Sequence, residues 1–163
     1  MIEELRPEKN IGHFALLKEA YIGLFNDPRN LPMLSFTLRP FSEETLDAWF
    51  RAHVEHGVSY YSEMDGAGRI SGLALTRTDP VTGFEFLSLV VRRECRRKGI
   101  GRRLTEHVIG KARTLEYKAI DVAVYAENVP MLKLVLDEGF IPIRMSHNMR
   151  ADGADLVHLR KVL

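Results

Sequence analysis

Five cationic side chains fall within eight residues, Arg96, Arg97, Lys98, Arg102 and Arg103, and Gly99-Ile100-Gly101 divides them. Ahead of them lies an apolar run of strand length, Phe86-Leu87-Ser88-Leu89-Val90-Val91, rich in β-formers. Behind them Leu104, Val108, Ala112 and Leu115 repeat at helical spacing. A strand that turns through glycine into a helix aims successive backbone N–H groups at one point, and the helix dipole adds attraction for an anion. The glycines remove the Cβ that would hold a ligand off, and the arginines bring charge. The pattern predicts a phosphate-bearing ligand at residues 96–103.

A solvated helix start or a nucleic-acid patch would also be arginine-rich. The Gly-x-Gly break favours a cradle over a plain charge run. No aromatic residues interleave with the cations as single-stranded nucleic acid would require. A Walker loop is excluded because no Gly-Lys-Ser/Thr follows, and a dinucleotide-binding turn because a larger residue takes the third glycine position. Cys95 lies beside the arginines with no histidine base nearby in sequence, and reads as an incidental thiol.

The elements around this junction follow from periodicity. Residues 1–7 suit a short strand, and Ile11, Phe14, Leu17, Tyr21 and Leu24 mark a helix that Asn26-Asp27-Pro28 ends. Residues 28–41, with three prolines, read as an irregular connection. Ser42 with Glu43-Glu44 starts a helix expected to turn Leu46, Trp49, Phe50 and His53 inward and to stop at Gly57. Residues 58–62 and 70–76 form a hairpin about Asp65-Gly66-Ala67-Gly68, and a turn from Asp79 to Gly83 leads into the strand before the glycine loop. Beyond the central helix, 120–125 alternates as a strand, and Asn128-Val129-Pro130 opens a helix that Gly139-Phe140 closes. Residues 141–149 and 156–162 make a last hairpin. The order predicts an α/β fold: one mixed, mostly antiparallel sheet of six or seven strands flanked by about four helices.

A chain of 163 residues reads as a single domain, 1–163, with its own core. Net charge is +1, yet residues 92–118 hold ten Lys/Arg against three Asp/Glu, leaving the rest of the chain acidic. One cysteine excludes internal disulfides and cysteine metal centres, and no metal is expected. No apolar run approaches the ~20 residues of a membrane span and no secretory pattern opens the chain. A cytoplasmic protein is expected, with neither a membrane nor nucleic acid as partner.

Arg96-Arg97-Lys98-Gly99-Ile100-Gly101, five residues after Val91, resembles the signature of the coenzyme A-dependent N-acetyltransferases of the GNAT superfamily. A second block, a strand, Asn128 and a helix closing on Gly139-Phe140, is similar too. The resemblance implies a splayed central pair of parallel strands. It places the pyrophosphate of acetyl-CoA, a cosubstrate, on the N–H groups from Arg97 to Arg102, including Lys98, Gly99, Ile100 and Gly101. It lays the pantetheine arm along the strand at Leu89 and Val91, with Asn128 on its other side. One departure stands out: where the family often carries a tyrosine as general acid, four residues before the Gly-Phe pair, this chain has Val135.

The implied reaction is attack of a neutral amine on the thioester, with a backbone N–H near Leu89 or Val90 receiving the developing oxyanion. Glu85, on the same strand, is the candidate base; the plain alternative is a solvated strand-start residue. Tyr125 would hold the amine or donate to sulfur, or else is a packed aromatic. Glu127 and His147 are weaker candidates. The acceptor is expected to be an amine-bearing small molecule or a protein amine, and the acidic surplus hints at a cationic one. A non-catalytic acyl-CoA-binding module is the alternative, and pairing of two copies through the last strands is left open.

Overall fold

The structure, a computed structural model, describes all residues 1–163. It contains seven strands: β1 (Ile2–Leu5), β2 (Val58–Met64), β3 (Ile70–Asp79), β4 (Gly83–Val91), β5 (Ala119–Tyr125), β6 (Ile141–Ser146) and β7 (Leu156–Val162). They form one sheet in the order β1-β2-β3-β4-β5-β7-β6, antiparallel throughout except for the pair β4–β5. The α-helices are α1 (Ile11–Ala20), α2 (Leu31–Leu34), α3 (Glu43–Glu55), α4 (Ile100–Thr114) and α5 (Val129–Asp137). None is long and apolar enough to cross a membrane.

Alternation along the strands feeds two cores. One face carries Phe84, Phe86, Ile120, Val122, Val124 and Leu159 beneath α4 and α5. The other carries Tyr60, Leu73, Leu75 and Val90 beneath α1 and α3. Phe84 and Phe86 face the first core and Val90 the second although all three share one parity, because the extra residue Leu87 reverses the alternation between Phe86 and Ser88. The start of α4 sits directly on β3 at Gly72. A Cβ there would lie 2.5 Å from Ile100 Cγ2 and 2.9 Å from Leu104 Cδ1. That glycine therefore sets how closely the glycine loop approaches the sheet.

Four expectations need correction. The first helix does reach Phe25, but its last turn, Tyr21–Phe25, widens into a π turn whose end is the Asn26 N–H donating to the Tyr21 carbonyl. Residues 28–41 are not wholly irregular, since α2 forms a fifth, one-turn helix with proline in its first turn. Leu46 and Phe50 are buried as expected, but Trp49 is 42% exposed, lying at the rim against Phe41 and His53. Leu115 is 53% exposed because α4 stops at Thr114, before the stripe would return to the core.

Candidate functional site

The parallel register joins Phe84 to Ile120, Glu85 to Asp121 and Phe86 to Val122, and goes no further. Beyond it β4 and β5 separate. The cause lies on the other side of β4: Leu75 pairs with Ser88 but Thr76 with Phe86, so Leu87 is an extra residue. A bulge of this kind bends the strand and raises its twist, turning the end of β4 away from β5.

Hydrogen-bond parity decides what lines the gap. The Arg92 N–H donates to the Ser71 carbonyl of β3 at 2.8 Å. In an antiparallel ladder such outward-paired residues alternate, so Val90 also bonds to β3, while Leu89 and Val91 turn their N–H and C=O towards β5. Val90 is thus directed away from the gap, and its side chain is buried in the α1/α3 core. Val90 drops out as an oxyanion donor, leaving Leu89 and Val91 as the backbone that an extended ligand could pair with.

The glycine loop presents a row of free donors. The N–H groups of Arg97, Lys98, Gly99, Ile100, Gly101 and Arg102 donate to no group of the protein, and the next, that of Arg103, closes onto the Gly99 carbonyl at 3.0 Å. Gly99 at φ 76° and Arg97 at φ 60° supply the left-handed turns that aim these amides together. Six successive free amides lead into the N-terminus of a 15-residue helix, a row of donors with the geometry an anion would need. The side chains divide differently from the sequence expectation. Arg103 makes a fork with Glu63 at 2.6 and 3.0 Å and reaches the Lys98 carbonyl at 3.0 Å, holding the loop's shape. Arg102 pairs with Glu138 at 3.3 Å. Arg96 is not in the cradle: its guanidinium donates to Asn30 Oδ1 at 2.7 Å and to the Val91 carbonyl at 3.2 Å. Only Arg93, Arg97 and Lys98 among the cations from 92 to 103 carry no internal partner.

A cleft of about 580 Å³ opens from the gap over the sheet face that α1 and α3 leave uncovered. Its floor is a row of charges in register: Arg77 opposite Glu85, Glu85 opposite Asp121, Asp121 opposite Arg160. Arg77 pairs with Glu85 at 2.5 Å, and Arg160 forks onto Asp121 at 2.6 and 2.8 Å. Glu85 therefore does reach the cleft, beside a second carboxylate. Ser88, at the bulge, also lines it.

The roof joins two distant segments through Arg150. This guanidinium donates to the Pro32 carbonyl at 2.6 Å, pairs with Asp152 at 2.7 Å and Glu127 at 2.6 Å, and lies 4.9 Å over the Tyr125 ring. The Ala151 N–H donates to the Phe36 carbonyl at 2.8 Å. The hydrogen bond from Arg150 holds the Asp152 carboxyl below the usual carboxylate range. Tyr125 lines the cleft, but its hydroxyl donates to the Ser35 carbonyl at 3.2 Å, and burial pushes its pKa up. It acts here as a packed aromatic in the roof. Asn128 lines the cleft as the cap of α5, its Oδ1 accepting from the Met131 N–H at 3.3 Å and its amide N–H₂ unbonded. Val135 is fully buried in the α4/α5 core, so that position faces away from the cleft. Glu127 is tied to Arg150, and His147 pairs with Asp155 at 3.0 Å. Sequence reasoning missed Arg77, Ser88, Asp121, Arg150 and Arg160. Only the Arg77–Glu85 pair had a signal, since a hairpin turning at residues 79–83 sets those two opposite each other.

Comparison with known proteins gives a consistent picture. Residues 24–140 match the model of the acetyltransferase (GNAT) family. YwnH of Bacillus subtilis (strain 168), a protein provisionally named a phosphinothricin acetyltransferase, is 25% identical over 126 residues, 75% of this chain and 77% of its own. Among solved structures, a phosphinothricin acetyltransferase from Sinorhizobium meliloti in complex with acetyl-CoA superposes with a TM-score of 0.74 at 16% identity, covering 100% of this chain and 88% of that one. A ribosomal-protein-alanine N-acetyltransferase from Brucella melitensis also scores 0.74, at 19% identity, covering 100% and 99%. At such identities the structures speak for the fold alone.

Proposed function

The chain belongs to the acetyltransferase (GNAT) family, and from that premise we propose that it transfers an acetyl group from acetyl-CoA to the primary amine of a small molecule by direct attack on the thioester. Acetyl-CoA supplies the activated acyl group and a thiol leaving group. The observation that carries the reading is the end of the β4–β5 pairing at Phe86 and Val122, with the Leu89 backbone and the Val91 N–H turned to the gap, the Val91 carbonyl taken by Arg96, and six free amides beyond. An extended amide-bearing arm fits that edge, and a pyrophosphate fits the amides of Arg97 to Arg102, with Arg93, Arg97 and Lys98 adding charge.

The Leu89 N–H, aimed into the gap, stabilises charge developing on the thioester carbonyl oxygen. Glu85 takes the proton that the amine must lose, since an alkyl amine titrates near ~10.4 and is mostly protonated at neutral pH. Arg77, paired with it, holds the Glu85 carboxylate in the cleft. No tyrosine is placed to protonate the sulfur, because Val135 is buried and the Tyr125 hydroxyl is engaged. A thiol with a pKa near ~8.5 leaves without that help. Incubating the protein with acetyl-CoA and a panel of primary amines, and following free thiol, tests the proposal. Thiol release that depends on an amine supports it. Tight acetyl-CoA binding with no release across the panel would refute it and leave a binding module.

A further inference from the structure

The segment that roofs the cleft, residues 30–36, has little structure of its own. α2 is a single turn, and Met33, Leu34 and Phe36 line the cleft from it and from the chain just beyond. A turn this short is not held by its internal bonds, so its position is set by what it is tied to. Three of its ties to distant parts of the chain use main-chain carbonyls. Pro32 accepts from Arg150 at 2.6 Å, Ser35 from the Tyr125 hydroxyl at 3.2 Å, and Phe36 from the Ala151 N–H at 2.8 Å. The fourth is written in a side chain, that of Asn30, and it leads to the glycine loop.

Asn30 is only 9% exposed, and its two amide atoms are committed in different directions. Its Nδ2 donates to the Leu24 carbonyl in the π turn at 2.8 Å, and its Oδ1 accepts from the Arg96 guanidinium at 2.7 Å. Chemistry fixes that orientation, since a carbonyl only accepts and a guanidinium only donates. Arg96 is steadied in turn by its Nε donating to the Val91 carbonyl at 3.2 Å. Two side chains thereby join the end of β4, the start of α2 and the last turn of the first helix. Both hydrogen bonds of Arg96 go to the strand and the roof segment, whereas the anion cradle is built from the amides that follow it.

We propose that Arg96 is a positioning residue for the acceptor: through Asn30 it sets where the roof segment lies over the cleft, and it does not hold the coenzyme. The inference rests on the acetyl-transfer reading above and concerns the acceptor end of that cleft. Arg96→Met keeps the aliphatic stem but leaves Asn30 Oδ1 buried without a donor, the costly arrangement. Residues 30–36 then leave their place over the cleft more often, and apparent acceptor affinity falls with the fraction in place. Releasing the Val91 carbonyl removes nothing that a pantetheine arm would pair with.

The test follows Arg96→Met, Asn30→Leu and the double variant in the full chain, using the primary amine that gives the fastest thiol release with the unaltered protein. Each single variant is expected to raise the KM for that amine about tenfold, with kcat changed less than about threefold and acetyl-CoA affinity held within about twofold by calorimetry. Because the two side chains act as one tie, Arg96→Met should add no further loss to Asn30→Leu. Hydrogen exchange reads the tie without an acceptor: amides of residues 31–36 should exchange faster in Arg96→Met, and those of 104–112 should not. A loss of acetyl-CoA affinity with the amine KM unmoved, additive losses in the double variant, or unaltered exchange at 31–36 overturns this assignment while leaving acetyl transfer intact. Absence of thiol release from every amine of the panel, with acetyl-CoA still bound, overturns the transfer reading and this one with it.

Discussion

Arg150→Met is the most informative perturbation of the cleft, because one side chain pins two segments more than a hundred residues apart. The Arg150 side chain is only 5% exposed, and methionine fills much of its volume without its donors. Its carboxylate partners, Asp152 and Glu127, are each 48% exposed and rehydrate when the guanidinium goes, so they add little to the loss. What remains is the Pro32 carbonyl, which loses a charged donor at 2.6 Å, and the Tyr125 ring, which loses a cation at 4.9 Å. Taking about 1.5 kcal/mol for the first and about 0.5–1 for the second gives a destabilisation of about 2 kcal/mol. In a protein of this length that corresponds to a fall in Tm of roughly 4–8 °C.

The effect on function is more selective than the effect on stability. The lost energy came from holding the α2 segment against the β6–β7 connection, so it shifts the balance between a closed and an open roof. A shift of about 2 kcal/mol changes that equilibrium roughly thirtyfold, and the apparent acceptor affinity falls with the closed fraction. Acceptor KM is expected to rise between about threefold and thirtyfold. Acetyl-CoA affinity should hold within about twofold, because Leu89, Val91 and the amides of 97–102 make no contact with Arg150's partners. Thermal unfolding, titration calorimetry with acetyl-CoA and steady-state kinetics read the three quantities. An unchanged Tm with an unchanged acceptor KM, or a loss confined to acetyl-CoA binding, refutes the pin.

Glu85→Gln keeps an oxygen for Arg77 but cannot take a proton, so kcat/KM should fall about 100-fold near pH 7 and recover towards pH 10, where free amine is abundant; an unaltered pH profile removes Glu85 from the mechanism. At Gly101 a Cβ would meet Leu134, Leu89 and Val91 at 3.5–3.8 Å, ordinary contact, so Gly101→Asp should fold. Its carboxylate occupies the anion cradle, so acetyl-CoA affinity should drop at least about 100-fold by calorimetry, whereas Gly101→Ala loses far less. Gly72→Ala drives a methyl into Ile100 and Leu104, which should cost about 1–3 kcal/mol in urea unfolding and weaken acetyl-CoA binding by lifting the start of α4. His53, bonded to the Tyr60 hydroxyl at 2.6 Å, is held neutral chiefly by burial, its pKa pushed down to about 4. The unfolded chain takes up that proton near pH ~6.5, so stability should decline as pH falls from about 6.5 to 4, by up to ~3 kcal/mol. Denaturant titrations of His53→Gln should show a flatter decline over that window.

The order of elements was legible because it rests on local chemistry. Ser42 with Thr45 caps α3 reciprocally, Gly139 at φ 83° ends α5, and Asp65 accepts the turn amides of the first hairpin. Each of these signals is written within four or five residues. The errors came where tertiary packing overruled period. Trp49 fits the inward stripe of α3, but Tyr21, Phe25 and Phe41 already fill that corner through stacked and edge-on rings, and the indole is left at the rim. The glycine cradle was legible for the same local reason, because free amides at a helix start depend on the loop's own glycines. Its arginines were not. Arg96 and Arg103 look alike in sequence, yet their directions are fixed by Asn30 and Glu63, residues 66 and 40 positions away.

The cleft shows the limit most clearly, and shows why the chemistry of such a fold is hard to read from one strand at a time. Glu85 stands out in sequence because it precedes an apolar run, but its meaning is set by three residues from three other strands. Asp121 and Arg160 are ordinary polar positions on alternating strands, and only the β4–β5–β7 register puts them in line with it. Where that pairing stops in turn depends on a single added residue, Leu87. If Leu87 were paired, the strands after Phe86 would shift by one, Ser88 would exchange faces with Leu89, and the donor at the gap would become a ladder bond. The bulge therefore produces two things at once: the opening between β4 and β5, and the aim of the Leu89 and Val91 backbone. Deleting Leu87 would remove the bulge while keeping Ser88 opposite Leu75 and Leu89 opposite Ala74, so it should straighten the end of β4 against β5 and weaken acetyl-CoA binding by calorimetry, while β1–β3 keep their register; unchanged affinity would show that the bulge does not open the gap.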